Sequence, residues 1–399
     1  MDIIKKNVLK AVDFSARRWI ELSDKIHRNP ETAFNEVKAC KWLSDAAREL
    51  GFHVEVGVAG IPTAFFATYD SKKPGPSIGI VVEYDALEGL GHACAHNTKC
   101  PAALCGAEAL IKTCPDFRGK IVILGCPAEE SGGGKVLMVE RGAIHGLNLD
   151  VCFEIGVAPE WGVGTRRFSR QGLTLTARGK SAHSGMKHHE SINALDSLMF
   201  VMETLRYLSK TLGEGGIITS VVTNGGITAS VIPDFAQIEV EIQGVTRNTM
   251  EKYVDLVERL ADVSAEASGA EIAVKKSVVY ANTIKTRCLA DMVMGNLKDF
   301  GVDAEWLFDS YPIGCTDSGN ISHIVPLETY EVAIGSGILP HTIEYREAAG
   351  SKPGHNVVVN GAKVLGMCLV DLLVHDSDDF LKKLRAEFKT ARESQAKSI

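Results

Sequence analysis

Three short apolar runs constrain this chain more than any other feature: SIGIVVEY from Ser77, IVILGC from Ile121 and LDVCFEI from Leu149. Each is of strand length, rich in β-branched residues, and apolar at nearly every position, as a strand buried on both faces must be. Helical patterns over about 98–112 and 135–141 separate them, and an earlier helix through EVKACKWLSDAAREL stops at Gly51. FHVEVGV supplies a further strand. Apolar strands alternating with helices predict an α/β, doubly wound, mostly parallel sheet covered on both faces.

The texture changes near Phe168. GLTLTARG alternates as a half-buried strand, a long helix is expected over 191–212, and IITSVVTNGG and AQIEVEIQG follow as paired strands. A second long helix over 249–267 and the strand AEIAVKKSVVY close the segment at Tyr280. The order β-α-β-β-α-β is that of a ferredoxin-like split unit, read here as an inserted α+β domain over 169–281. The remainder, 1–168 and 282–399, forms one discontinuous domain that ends in a helix over 356–375 and a charged terminal helix.

Composition narrows the function. With 399 residues, 45% hydrophobic and 23% charged, the chain can bury a full core. A formal net charge of -7 argues against a nucleic-acid partner. The N-terminus, MDIIKKNVLKAVDFSARRW, alternates charged and apolar residues as an amphipathic helix does, and no unbroken apolar run of membrane-spanning length follows it. No membrane partner and a cytoplasmic location are therefore expected. Cys40, Cys105, Cys126, Cys152 and Cys368 lie in apolar runs and read as small core hydrophobes.

Chemistry is concentrated at strand ends, where open α/β sheets gather their ligands. GLGHACAHN follows the first apolar strand and places Cys94 and His96 two residues apart on a turn introduced by glycine. A thiolate and an imidazole there suit zinc or another transition metal. CPAEESGGGK follows the next strand with two adjacent carboxylates, Glu129 and Glu130. Paired carboxylates repel unless one is neutralised; a metal on one leaves the other to take a proton from water. His183 in GKSAHSG, and His341 and His355 in PHTIEYREAAGSKPGHN, are the remaining candidates.

Taken together and in order, these segments resemble the aminoacylase and carboxypeptidase family of metallohydrolases. The likeness is to the amidohydrolase branch with hippurate hydrolase, auxin-conjugate hydrolases and aminobenzoyl-glutamate hydrolase. It is carried by IHRNPETAFNE, EYDALEGLGHACAHN, PAEESGGGK, AHSG, NALD, VIPD and CTDSGNISHIVP, which span nearly the whole chain. The resemblance implies that Cys94, His96, Glu130 and His341 are metal ligands and Glu129 the general base. It implies that His183 donates to a substrate oxyanion or carbonyl, often in the partner subunit's site, and that the inserted domain is a lid and dimer interface. Asn224, Ser230 and Arg170 are the expected substrate-binding residues. The expected partners are a small-molecule substrate and a second copy of the chain, as a homodimer or higher homo-oligomer.

Three positions depart from the pattern. Where relatives carry a further histidine ligand, EIGVAP places Gly156, with Glu154 as a candidate substitute on the same strand face. Ser230 replaces an asparagine before VIPD, and Gln243 an arginine, with Arg166, Arg167 or Arg170 as candidates to take over. The expectation is a metal-dependent hydrolase cleaving a C–N bond, most simply the amide of an N-acyl or N-aroyl amino acid or a dipeptide-like substrate. Its cofactor is a divalent transition metal, Zn or Mn, one or two per chain, with Gly156 pointing to one. The alternatives are an aminohydrolase releasing ammonia from a nitroanthranilate-like aromatic amine, a non-catalytic binding relative, and a Cys94–His96 nucleophile. The last leaves the paired carboxylates without a role.

Overall fold

The computed structural model describes residues 1–186, 188–210 and 215–397, without the side chains of 396 and 397. It divides into two compact units, one formed by Met1–Arg166, Thr283–Ile313 and Asp317–Ala396, the other by Arg167–Asn282 with Gly314–Thr316.

The first unit opens with α1 (Ile3–His27) and α2 (Val37–Glu49), then β1 (His53–Val56), β2 (Phe65–Asp70) and β3 (Ser77–Glu83). It continues through α3 (His96–Thr113), β4 (Lys120–Cys126), α4 (Gly134–Glu140), β5 (Val151–Ala158) and the short β6 (Gly162–Val163). The second unit holds β7 (Ser169–Arg178), β8 (Ala182–His183), α5 (Ala194–Ser209), β9 (Gly216–Asn224), β10 (Val231–Ile232), β11 (Phe235–Gly244), α6 (Arg247–Ser268) and β12 (Glu271–Lys276). The chain returns to the first unit with α7 (Arg287–Phe300), β13 (Glu305–Trp306), α8 (Ser318–Ser322), β14 (Leu327–Ala333), α9 (Ile343–Ala349), α10 (Lys352–Leu373) and α11 (Asp378–Lys397).

The sheet of the first unit runs β1-β2-β4-β3-β5-β14-β6-β13. Its centre, β4-β3-β5-β14, is parallel, while β1, β2 and β6 add antiparallel pairings. The three apolar runs are β3, β4 and β5, and their alternate residues feed two cores. Ile78, Ile80, Ile123 and Phe153 pack under α1, α3 and α10, whereas Val81, Val122, Leu124 and Cys152 pack with Met138 of α4 and Ile321. Helix α10 is long and apolar enough by composition to cross a membrane, yet it is mostly buried against α1, α3 and α7, which identifies it as the core helix of this unit. Its approach to α3 depends on Gly106, where an added Cβ would lie 2.8 Å from the Ala362 carbonyl oxygen.

The second unit is an antiparallel sheet, β12-β7-β11-β9, with α5 and α6 packed on one face around Leu173, Leu175, Leu198, Val240 and Val257. The split order is present, with a two-strand ribbon, β8–β10, added to it. Of the helix expected over 191–212, Ala194–Ser209 is helical, while Thr211 and Leu212 lie outside the described residues. Asn193 sets the start by capping the Leu195 and Asp196 amides, which is why NALD, and not Ser191, opens the helix. Strands β2 and β14 carry no isolated apolar run in the sequence and are defined by their neighbours, β4 and β5.

Candidate metal centre

The strand ends of the first unit bring the two motifs together. From β3 the chain turns through Asp85 into GHACAHN, and from β4 it turns through Pro127 and Ala128 into the two glutamates. Asp85, fully buried, clamps both turns: its carboxylate meets His96 Nδ1 at 3.0 Å and accepts the Glu130 amide at 2.9 Å. With Nδ1 so occupied, His96 presents Nε2 to the site, the arrangement by which a neighbouring carboxylate orients an imidazole toward a metal. Ala95, Ala128 and His341 all have positive φ, at 55°, 60° and 64°. Such backbone strain at each ligand-bearing turn is held by the surrounding bonds.

Ligand atoms of Cys94, Glu130 and His341 all lie within 4.8 Å of one another, and so do those of His96, Glu129 and Glu130. His341 reaches the site because its amide donates to the Ala93 carbonyl at 2.9 Å, and its Nε2 stands 3.5 Å from Glu130 Oε2. Glu130 Oε1 is buried without a hydrogen-bond partner. A buried carboxylate oxygen left unsatisfied, flanked by a thiol and two imidazoles, is the donor set of a divalent transition metal. These residues fit such an ion.

The electrostatics agree. Burial pushes the Glu129 carboxyl up to about 8, helped by the negative charge of Glu83 and opposed by Lys135. Burial likewise raises the Cys94 thiol. Burial and the Lys99 ammonium work against charge on His96, but Glu83, Cys94 and Asp85 outweigh them and hold its proton well above the ordinary imidazole range. A cation at this point competes for the same electron pairs and reverses each shift.

Several residues of this region are assigned no role from the sequence, although most lie in the segments that carry the resemblance. Glu83, at the end of β3, receives Lys99 and Lys135, and Lys135 also binds Asp317. Glu36 accepts the amides of Phe34 and Ala128, at 3.0 and 2.9 Å, and the Thr63 hydroxyl at 3.0 Å. It thereby ties IHRNPETAFNE to the turn that carries Glu129. Gly134 opens α4 where a Cβ would lie 1.9 Å from the Pro127 oxygen, so the GGGK run lets the turn close on itself.

Glu154 does not offer itself in place of the missing histidine: its carboxylate accepts the hydroxyls of Ser318 and Thr329 at 2.8 and 2.9 Å. The space beside Gly156 belongs to Glu331 of β14, whose Oε2 lies 2.1 Å from where a Cβ would stand. His355 pairs with Asp24 at 2.9 Å.

The remaining expected residues belong to the second unit. His183 lies exposed on β8, its Nδ1 accepting the Gly185 amide at 3.1 Å, in register with Val231. Ser230 precedes it across the ribbon, its carbonyl bonded to the Ser184 amide. Asn224 closes its own turn onto the Gly226 amide at 3.1 Å. Arg170 stands directly opposite Gln243 across β7 and β11, so a guanidinium does occupy that face, but it pairs with Glu241 and lies over Tyr280.

An α/β unit with thiolate, imidazole and carboxylate donors at its strand ends, in a chain that also carries an α+β insertion, is the architecture of a metallohydrolase. Residues 165–268 match the M20 peptidase dimerisation domain. The chain is similar to members of the M20 peptidase family. Among curated relatives it is 29% identical to the human Xaa-Arg dipeptidase, over 98% of this chain and 93% of that one. It is 26% identical to one chain of the p-aminobenzoyl-glutamate hydrolase of Escherichia coli, over 77% and 67%. A dinuclear metal-binding peptidase of the M20 family from Bacillus subtilis shares the fold, with a TM-score of 0.67 over 90% of this chain and 99% of that one, at 18% identity.

Proposed function

We propose that this chain is a metal-dependent hydrolase that cleaves the amide bond of an N-acyl or N-aroyl amino acid or a dipeptide-like substrate. The observation that carries the reading is the convergence of Cys94, Glu130 and His341 around a buried, unsatisfied carboxylate oxygen, with Glu129 beside it. An ion held there supplies Lewis acidity to the water and the carbonyl. Glu129 takes the proton from the attacking water and returns it to the departing amine. We assign His183 the role of donor to the developing oxyanion, with Asn224, Ser230 and Arg170 as the substrate-facing groups of the lid.

One thiolate, two imidazoles and a carboxylate suit zinc or manganese. The relatives named above act on dipeptides or an aroyl-glutamate, so ammonia release from an activated aromatic amine has no counterpart among them. The second copy of the chain is expected at β9, an edge strand whose Ile217, Val221 and Val222 are exposed. We place the chain in a reducing, cytoplasmic setting, in which buried thiols such as Cys40, Cys105, Cys126, Cys152 and Cys368 act as small core hydrophobes.

The test is hydrolysis of a panel of dipeptides with C-terminal arginine or lysine, benzoylglycine, aminobenzoyl-glutamate and a nitroanthranilate, using metal-reconstituted protein. Amine release from one of the amides, abolished by chelation and restored by metal, is expected. Turnover of the nitroanthranilate alone would overturn the amide reading.

A further inference from the structure

We propose that the ammonium of Lys99 takes the place of a second metal ion, so that the centre works with one divalent cation and one built-in lysine charge. This rests on the metal-dependent reading above. Lys99 lies three residues after His96 on α3, which puts both side chains on one face of the helix. The two converge on a single atom: His96 Nε2 stands 3.3 Å from Glu83 Oε2, and the Lys99 ammonium is hydrogen-bonded to that same oxygen. Lys99 is 7% exposed, and its charge is felt by Cys94, Glu129 and Glu154. A positive charge therefore already stands on the carboxylate that His96 Nε2 faces.

The donors point the same way. Position 156, on the strand face that leads into the site, has no side chain, and the Glu331 carboxylate closes the space a donor there would need. Glu154, the other acidic residue of β5, is engaged by two hydroxyls. A third cluster of possible ligands, Glu83, Glu129 and Asp317, lies within the same 4.8 Å limit, and there too a lysine supplies the cation, since Lys135 binds both Glu83 and Asp317. Buried carboxylates this numerous demand compensation. Here lysines provide it at two points; the remaining sets, Cys94 with Glu130 and His341, and His96 with Glu129 and Glu130, share Glu130 and so converge on one place for a metal.

The experiment loads metal-free, full-length protein with excess Mn2+, removes the unbound ion, and counts manganese per chain by mass spectrometry alongside the electron paramagnetic resonance spectrum. Wild type is expected to hold about one ion with the six-line spectrum of an isolated centre. Lys99→Met, which keeps the bulk and removes the charge, is expected to take up a second ion, bound by Cys94, His96 and Glu83, and to give a spin-coupled spectrum. Lys99→Arg is expected to stay at one. Two coupled ions in wild type would overturn the proposal, and so would a Lys99→Met protein that still holds only one. Wild type that retains no ion would instead remove the metal-dependent reading on which it rests. Should Lys99→Met not fold, Lys99→Gln, which keeps a donor to Glu83, takes its place, and the wild-type count remains decisive.

Discussion

Glu129 and Glu36 show how burial sets the behaviour of single carboxylates here. Replacing Glu129 by Gln keeps the shape and removes the proton acceptor. Turnover is expected to fall by about 10²- to 10⁴-fold, the usual worth of a positioned base, while metal content measured on the same preparation stays unchanged. A variant that lost its metal would place Glu129 among the ligands. Glu36 has no such role, but burial, reinforced by the nearby Asp85 charge, raises its carboxyl to about 7 from an ordinary 4.5. A raised folded-state pKa means that the folded protein holds this proton longer than the unfolded chain does. The stability it contributes is present below about 4.5 and is lost as the pH rises through about 7. Glu36→Gln removes that dependence. The denaturation free energy of wild type relative to this variant is therefore expected to fall between pH 4.5 and 7, by at most about 3 kcal/mol. A constant difference across that window would show that Glu36 titrates normally.

The motif residues were legible at this scale because their spacing is short. Cys94 with His96, and Glu129 with Glu130, each sit in one turn at the end of an apolar strand. Lys99, Lys135, Asp317 and Glu331 were not. Lys99 finds Glu83 across 16 residues, and Lys135 finds Glu83 and Asp317 across 52 and 182. A lysine in a helix reads as a solvated residue until the fold shows what stands opposite.

Among the elements, the closest approach that matters is that of α3 to α10. Helix α3 carries His96 at its first turn and Gly106 at the crossing, so its placement fixes the ligand as well as the core. Gly106→Ala would bring a methyl group within 2.8 Å of a backbone oxygen, forcing the helices apart. Alanine's better helix propensity, about 1 kcal/mol, offsets part of the strain of about 1–3 kcal/mol. A lower melting temperature and weaker metal retention are expected together. A stabilised protein with unchanged metal affinity would mean the helices have room. Elements with a clean periodicity, β3, β4, β5 and α6, were readable from sequence within a few residues. Strand β2 was not, because its register is written by pairing with β4 and not by its own pattern. The two-residue ribbon β8–β10 that carries His183 is likewise too short to have a period.

For the whole molecule, removing the metal tests the coupling between site and fold. An ion that binds the folded chain alone stabilises it in proportion to the logarithm of its concentration over Kd, about 2.7 kcal/mol at a hundredfold excess. Chelation is therefore expected to lower the melting temperature and zinc or manganese to restore it. A melting curve indifferent to both would argue that the cluster binds no ion. Association is a separate property: wild type is expected to run as a dimer in light scattering. Val221→Lys, on the exposed edge strand β9, is expected to give monomers that still hold metal. Dimers that survive the substitution would move the interface elsewhere.

What the sequence determined by itself is whatever depends on neighbours along the chain. The alternation of apolar strands with helices, the change of texture near Phe168, and the two ligand pairs at strand ends all belong to this class. The tertiary structure alone decided which distant charges meet. It set Asp85 between His96 and Glu130, turned Glu331 into the space beside Gly156, engaged Glu154 with two hydroxyls, and buried Lys99 against Glu83. Hydrophobic periodicity is local and repeats, so it can be read in a line. The compensation of buried charge is settled pair by pair in three dimensions, and no spacing records it.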